Sequence, residues 1–330
     1  MREKWIDNTK GILIILVVLG HILPPPYAVL STPASYIFLF HMPAFFMISG
    51  YLANPGKRTL VQNIWGKTKR ILGPYFFYLF LLAGPQLIQA YMKSKKWHFF
   101  KKHFFRFVMG GQDLNYFFCG ALWFLTCSFF IYLFFYIIEK LPKVWMRAIA
   151  YVAMWVLAHY QSWNILPEQQ ATFWLWDVAI IGVVYLAIGH YFKKYVFDKR
   201  VLIGSIVCVA GFLIVHGLNL VPAWSEYGIE LWSHTYKDLI LDFVLPVGIF
   251  VILANIVKLI PDGKVSAVLS DFGKYSLAIM AMHQMVIHIL IDVLGLTINI
   301  VVLTIVATLV PYFIVKFIWA KIPGIKKISF

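Results

Sequence analysis

The chain has 330 residues, 61% of them hydrophobic and only 13% charged, with a mean hydropathy of +0.79. These values exclude an ordinary soluble domain and require its long apolar runs to be membrane spans. The formal net charge of +15 does not argue for nucleic acid, because in a polytopic protein basic residues set topology and meet anionic head groups.

Ten helical spans are predicted, at 11–30, 34–53, 71–92, 117–138, 147–163, 173–192, 201–218, 238–257, 275–294 and 297–318. The charged start and apolar core of the N-terminus have the outline of a secretory signal. Pro24, Pro25 and Pro26 stand where a small-residue cleavage site would be, so the first span is read as retained. Arg2, Lys4 and Lys10, the 57–70 linker, and the basic stretches at 140–147, 193–200, 258–274 and 321–327 all fall on one side. The positive-inside rule makes that side cytoplasmic and places both termini there. No Gly/Ser linker interrupts the sequence, so residues 1–330 read as a single integral membrane domain, an all-α polytopic fold.

The segment from Lys93 to Arg106 is strongly basic, yet strict alternation puts it outside. Its aromatic residues at 97, 99, 100, 104, 105 and 107 trace no clean single helical face. It is expected at the outer interface, with its cations toward head groups or against an acidic acceptor. The outer loops carry the acids Glu168, Glu226 and Glu230, and Asp177 and Asp242 lie near the outer ends of their spans. Beside Trp174, Trp176, Trp224 and Trp232 these carboxylates would suit a carbohydrate, although an interfacial aromatic belt accounts for the tryptophans alone.

Two histidines sit inside the first two apolar segments, Trp5 to Leu23 and Tyr36 to Leu52. On a helix, His21 stands about 16 Å above Lys10, roughly mid-membrane, and on the same face as Lys10 and Asp7. His41 lies about 18 Å from the inner end of the second segment, a similar depth. Pro43 loosens the helix around it. His283, about 14 Å beyond Lys274, reaches the same level. Intramembrane histidines are costly and mark a functional site by default, the alternative being a hydrogen-bonded packing role. His190, His216 and His288 are expected at packing interfaces; His98, His103, His159 and His234 are expected at surfaces or boundaries. Cys119, Cys127 and Cys208 show no paired-ligand spacing and there is no H-E-x-x-H, so no metal is expected. P-loop, dinucleotide and G-x-S-x-G motifs are also lacking.

The K-x10-H pattern in WIDNTKGILIILVVLGH, followed by FHMPAFFMISGY, resembles the membrane acyltransferase-3 family, in particular its sugar O-acetylase (fucose 4-O-acetylase-like) branch. Weaker echoes occur at Lys67-Thr68-Lys69-Arg70, at Leu122-Trp123-Phe124-Leu125 and in YSLAIMAMHQ around His283. The resemblance implies about ten transmembrane helices around a central catalytic cavity in a bacterial plasma membrane. It also implies transfer of an acetyl group from cytoplasmic acetyl-CoA to a hydroxyl of an extracytoplasmic or lipid-linked cell-surface glycan. On that reading His21 is the candidate general base, helped by His41, Lys10 and Asp7, the last two paired at i and i+3. His41, Ser49 or backbone N–H groups near Pro43 would stabilise the oxyanion. Ser49, Trp123 and His283 are candidate substrate contacts. Lys67, Arg70, Lys69 and Arg58 would take the phosphates of CoA. The family more often has arginine at positions 10 and 67, so a guanidinium-specific role does not carry over to these lysines. A proton-coupled transporter or flippase is the alternative from another class.

Overall fold

The computed structural model describes residues 3–23, 33–57, 59–94, 97–164, 172–221 and 227–322. Among these there is no β-strand ladder, only one isolated bridge, Glu230 to Thr235. Inside hydrocarbon every backbone N–H must find its carbonyl within the segment, which leaves helices as the open choice for apolar runs of this length. Thirteen α-helices result among the described residues: α1 Lys4–Ile22, α2 Pro33–Phe38, α3 His41–Tyr51, α4 Leu60–Ser94, α5 Trp97–Met109, α6 Trp123–Ile138, α7 Val144–Asn164, α8 Val178–Tyr191, α9 Lys199–Gly217, α10 Leu241–Lys258, α11 Lys264–Lys274, α12 Ser276–His288 and α13 Ile300–Phe313. Nine helical stretches among the described residues are long and apolar enough to cross a membrane. The protein is therefore a multi-pass membrane protein with an all-α fold. The span expected at 147–163 is present as α7, 21 residues long, but it is not among the nine.

Close packing rests on small residues. A side chain added at Gly50 of α3 would stand 1.8 Å from the backbone oxygen of Leu186 in α8, and one at Gly189 would stand 1.9 Å from that of Met47 in α3. The two glycines face each other across one helix crossing, where backbones touch because nothing projects between them. The same device joins α1 to α11: Gly11 abuts the Leu269 carbonyl and Gly273 abuts that of Asp7. Residues 264–274, read from sequence as part of a basic inner loop, thus form a helix packed along α1, tied further by a buried Asn8–Ser266 hydrogen bond of 2.9 Å. By contrast α9 leans on α10 with Phe212 as its one buried residue, leaving the remainder of its apolar surface to lipid.

Three sequence expectations are corrected. First, α4 starts at Leu60, so Lys67, Lys69 and Arg70 belong to a helix and not to a linker; at 35 residues it is about 52 Å long, more than the hydrocarbon needs. Second, the rings of Trp97, Phe100, Phe104 and Phe107 stack successively at 5.4, 5.8 and 6.5 Å. Spacings of three and four residues put these four on one face of α5, a partial aromatic stripe from which Phe105, exposed, stands apart. Third, His103, His159 and His234 are buried rather than superficial.

For His159 and His234 the burial has a shared cause, while His103 meets the Tyr116 hydroxyl. His159 and Asp242, both wholly buried, meet at 3.1 Å, and Tyr227 donates to the other carboxylate oxygen of Asp242 at 2.6 Å. His234 meets Asp177 at 2.6 Å, and Thr172 bonds the second Asp177 oxygen. Burying a carboxylate is tolerated only with such partners. Burial, and then the Asp242 charge, push the Tyr227 phenol well above its ordinary value, so it stays a donor. These contacts clamp the loop 227–240 onto α7, α8 and α10. Asp177 and Asp242 are accordingly held by histidines and not offered to a sugar. Glu168, Glu226 and Trp224 lie outside the described residues.

Candidate active site

Pro43 decides the local geometry of the second span. It has no N–H to give the carbonyl of Leu39 and its ring crowds that carbonyl, so the span breaks at Leu39–Phe40 into α2 and α3. His41 opens α3, and its Nδ1 lies 2.7 Å from the backbone oxygen of Ile37 at the end of α2. The side chain thereby adds a second donor to a carbonyl that otherwise accepts only the Phe40 N–H, at 3.3 Å.

Three spans bring their histidines together at this level. The His21 and His283 rings are 5.1 Å apart, and Phe38 lies edge-on to both His21 and His41, at 5.7 and 5.0 Å. His283 is fully buried. Its Nδ1 turns to the carbonyls of Met280 and Ile279 at 2.8 and 3.1 Å, while its Nε2 is buried without a hydrogen-bond partner.

His21 and His41 open onto a cavity of about 490 Å³. At one end it is walled by Lys10, Ser49 and Ser276, at the other by Asn115, Gly120, Glu230 and Trp232, with Phe124 and Trp123 along its side. Of the residues singled out from sequence, Lys10, His21, His41, Ser49 and Trp123 line this space. Asp7 is buried beside α11, and His283 stands behind His21. Lys67 does not line the cavity but sits next to it: its Nζ lies 3.5 Å over the ring of Tyr132, whose hydroxyl donates to the Ser49 carbonyl at 3.4 Å. Lys69 stacks outward on Trp65 at 4.8 Å, and Arg70 is exposed. Arg58 lies outside the described residues. No group of His, Cys, Asp and Glu among the described residues could hold a metal ion.

Sequence reading missed Gln284. It lines the cavity, accepts the backbone N–H of Ala121 through Oε1 at 2.9 Å, and places its Nε2 3.4 Å from Nδ1 of His21. The signal was present, since an amide beside His283 in the middle of an apolar span needs a partner. Asn115 also escaped notice. A side chain at Gly120 would stand 1.6 Å from its Oδ1, so the Asn115 amide lies directly against the turn that presents Ala121.

Comparison with known proteins supplies a family. The family described as "Acyltransferase domain" matches residues 3–317. A protein named nodulation protein NolL from Sinorhizobium fredii is 32% identical over 132 residues, covering 38% of this chain and 33% of that protein. A protein of the same name from Mesorhizobium japonicum is 34% identical over 91 residues, 24% of each chain. The matches thus span a third or less of these relatives' length. No solved structure matches.

Proposed function

The chain belongs to the membrane acyltransferase-3 family, and from that premise we propose that it moves an acetyl group from cytoplasmic acetyl-CoA to a hydroxyl of an extracytoplasmic or lipid-linked cell-surface glycan. The observation that carries the proposal is the cavity running from Lys10 past His21 and His41 to Glu230 and Trp232. It offers a thioester and an alcohol separate approaches to one pair of imidazoles.

The chemistry follows from what an alcohol lacks. A sugar hydroxyl is a poor nucleophile near neutral pH, so one imidazole of the pair takes its proton as the new C–O bond forms at the thioester carbonyl. The resulting oxyanion needs a donor already in place. When the C–S bond breaks, the proton held by the imidazole passes to the departing sulfur and yields CoA. Lys10 and Lys67, at the basic end, favour the anionic nucleotide of the donor. Trp232 and Glu230 at the opposite end suit a carbohydrate, whose C–H faces stack on indole and whose hydroxyls donate to carboxylate. This orientation places Lys10 on the cytoplasmic side of a bacterial plasma membrane, with both termini there, as the basic residues also favour. Acetyl groups would cross the bilayer while CoA does not.

The test is release of free CoA by purified protein in detergent supplied with acetyl-CoA and lipid-linked glycan extract. Release should be lost in His21→Ala. Release that persists undiminished in that variant refutes the role of the cavity, and mass spectrometry of surface glycans from a deletion strain should show the missing O-acetyl group.

A further inference from the structure

The partners of the two imidazoles divide the labour between them, and for this step the acyl-transfer reading above is assumed. A backbone carbonyl can only accept a hydrogen bond, so Nδ1 of His41, 2.7 Å from the Ile37 oxygen, carries the proton. In the neutral ring its Nε2 is then a bare lone pair. His21 is set the opposite way. The amide orientation of Gln284 is decided by Ala121, whose N–H can only donate and is met at 2.9 Å by Oε1. That leaves the NH2 of Gln284 as the group 3.4 Å from Nδ1 of His21. An amide nitrogen can only donate, so Nδ1 of His21 accepts and its Nε2 carries the proton in the neutral ring.

We propose that Gln284 is a positioning residue that holds His21 as a hydrogen-bond donor, so that His41 acts as the base and His21 stabilises the oxyanion. This reverses the roles expected from sequence position. The hydroxyl proton goes to Nε2 of His41 while oxygen bonds to the acyl carbon. The carbonyl oxygen gains negative charge facing the Nε2–H of His21. Collapse breaks the C–S bond, and the His41 proton moves to sulfur. The surroundings make the arrangement stiff: Ala121 belongs to the tight Gly120–Leu122 turn, Asn115 fills the space beside Gly120, and His283 backs the His21 ring.

Gln284→Glu is the discriminating variant, because glutamate keeps an acceptor for Ala121 and the same length but accepts from His21 instead of donating to it. A merely structural role tolerates this change; the proposed role does not. Nitrogen NMR of histidine-labelled protein in detergent separates protonated from bare ring nitrogens, with signals assigned by loss in His21→Asn and His41→Asn. In the wild type, His21 should be protonated at Nε2 and His41 at Nδ1. In Gln284→Glu only His21 should invert, and kcat for CoA release should fall roughly 100-fold, the usual effect of losing an oxyanion donor, with KM for acetyl-CoA within about twofold. A wild-type His21 protonated at Nδ1, or a Gln284→Glu enzyme that turns over like wild type, overturns the proposal. The wild-type spectrum decides the ring states even if no acetyl acceptor is ever turned over, so failure of the acyltransferase reading is told apart from failure of this one.

Discussion

The crossing of α3 and α8 sets how His41 is held, and it has little tolerance. In Gly50→Ala the new methyl would stand 1.8 Å from the Leu186 oxygen and 3.0 Å from the His190 nitrogen, both backbone atoms. Neither can rotate away, so the helices must part by about 1.5 Å to restore ordinary contact. Gly189→Ala meets the Met47 oxygen at 1.9 Å across the same crossing and demands a similar parting. Overpacking of this kind costs about 1–3 kcal/mol. One separation relieves both clashes, so the double variant should lose clearly less than the sum of the two single losses. Thermal unfolding in detergent, followed by tryptophan fluorescence, measures all three variants, and CoA release reports whether α3 has carried His41 off its position. Single variants as stable and as active as wild type would show that the helices do not meet by backbone contact. Additive losses would show that the two glycines serve separate contacts.

Three more outcomes are expected. Asp242→Ala should destabilise the protein by roughly 3–5 kcal/mol, since it strands His159 and Tyr227 in the interior; thermal unfolding checks this, and a surface substitution such as Asp262→Ala serves as the control. Double substitution of Lys67 and Arg70 by alanine should raise KM for acetyl-CoA about 10-fold, the value of a lost charge-assisted contact, with kcat unchanged in steady-state assays. Finally, burial raises the carboxyl of Asp271, but hydrogen bonds from Lys316 and Tyr312 outweigh it and hold the group below its ordinary value. A depressed carboxyl contributes stability above its unfolded pKa of about 4, and that contribution is lost as pH falls through the folded value. The stability gap between wild type and Asp271→Asn should therefore be constant from pH 7 to 5 and close below pH 4; a gap that persists at pH 2 contradicts the assignment.

Much of this molecule is readable in one dimension because the bilayer imposes strong local rules. Apolar length marks the spans, and a rise of 1.5 Å per residue fixes depth, which is why His21, His41 and His283 could be placed at one level before any coordinates. Pro43 beside His41 signalled a loosened helix, though not that the span expected at 34–53 divides into two helices. Depth, however, says nothing about lateral neighbours. That Asp177 and Asp242 belong to His234 and His159, that Lys67 lies on the ring of Tyr132, and that residues 264–274 press against α1 through Gly11 and Gly273 are all contacts between distant segments, carried by no local periodicity.

By itself, then, the amino-acid order determined the solvent the protein lives in, the helical class of its fold, the level at which its histidines lie and the resemblance that names its chemistry, because each of these depends on composition, period or motif within one segment. Only the tertiary structure decided which walls enclose the cavity, that Gln284 reaches His21, and which group faces Nδ1 of each ring. Those properties belong to pairs of groups, and a hydrogen bond between residues 21 and 284 exists only once the helices carrying them have packed.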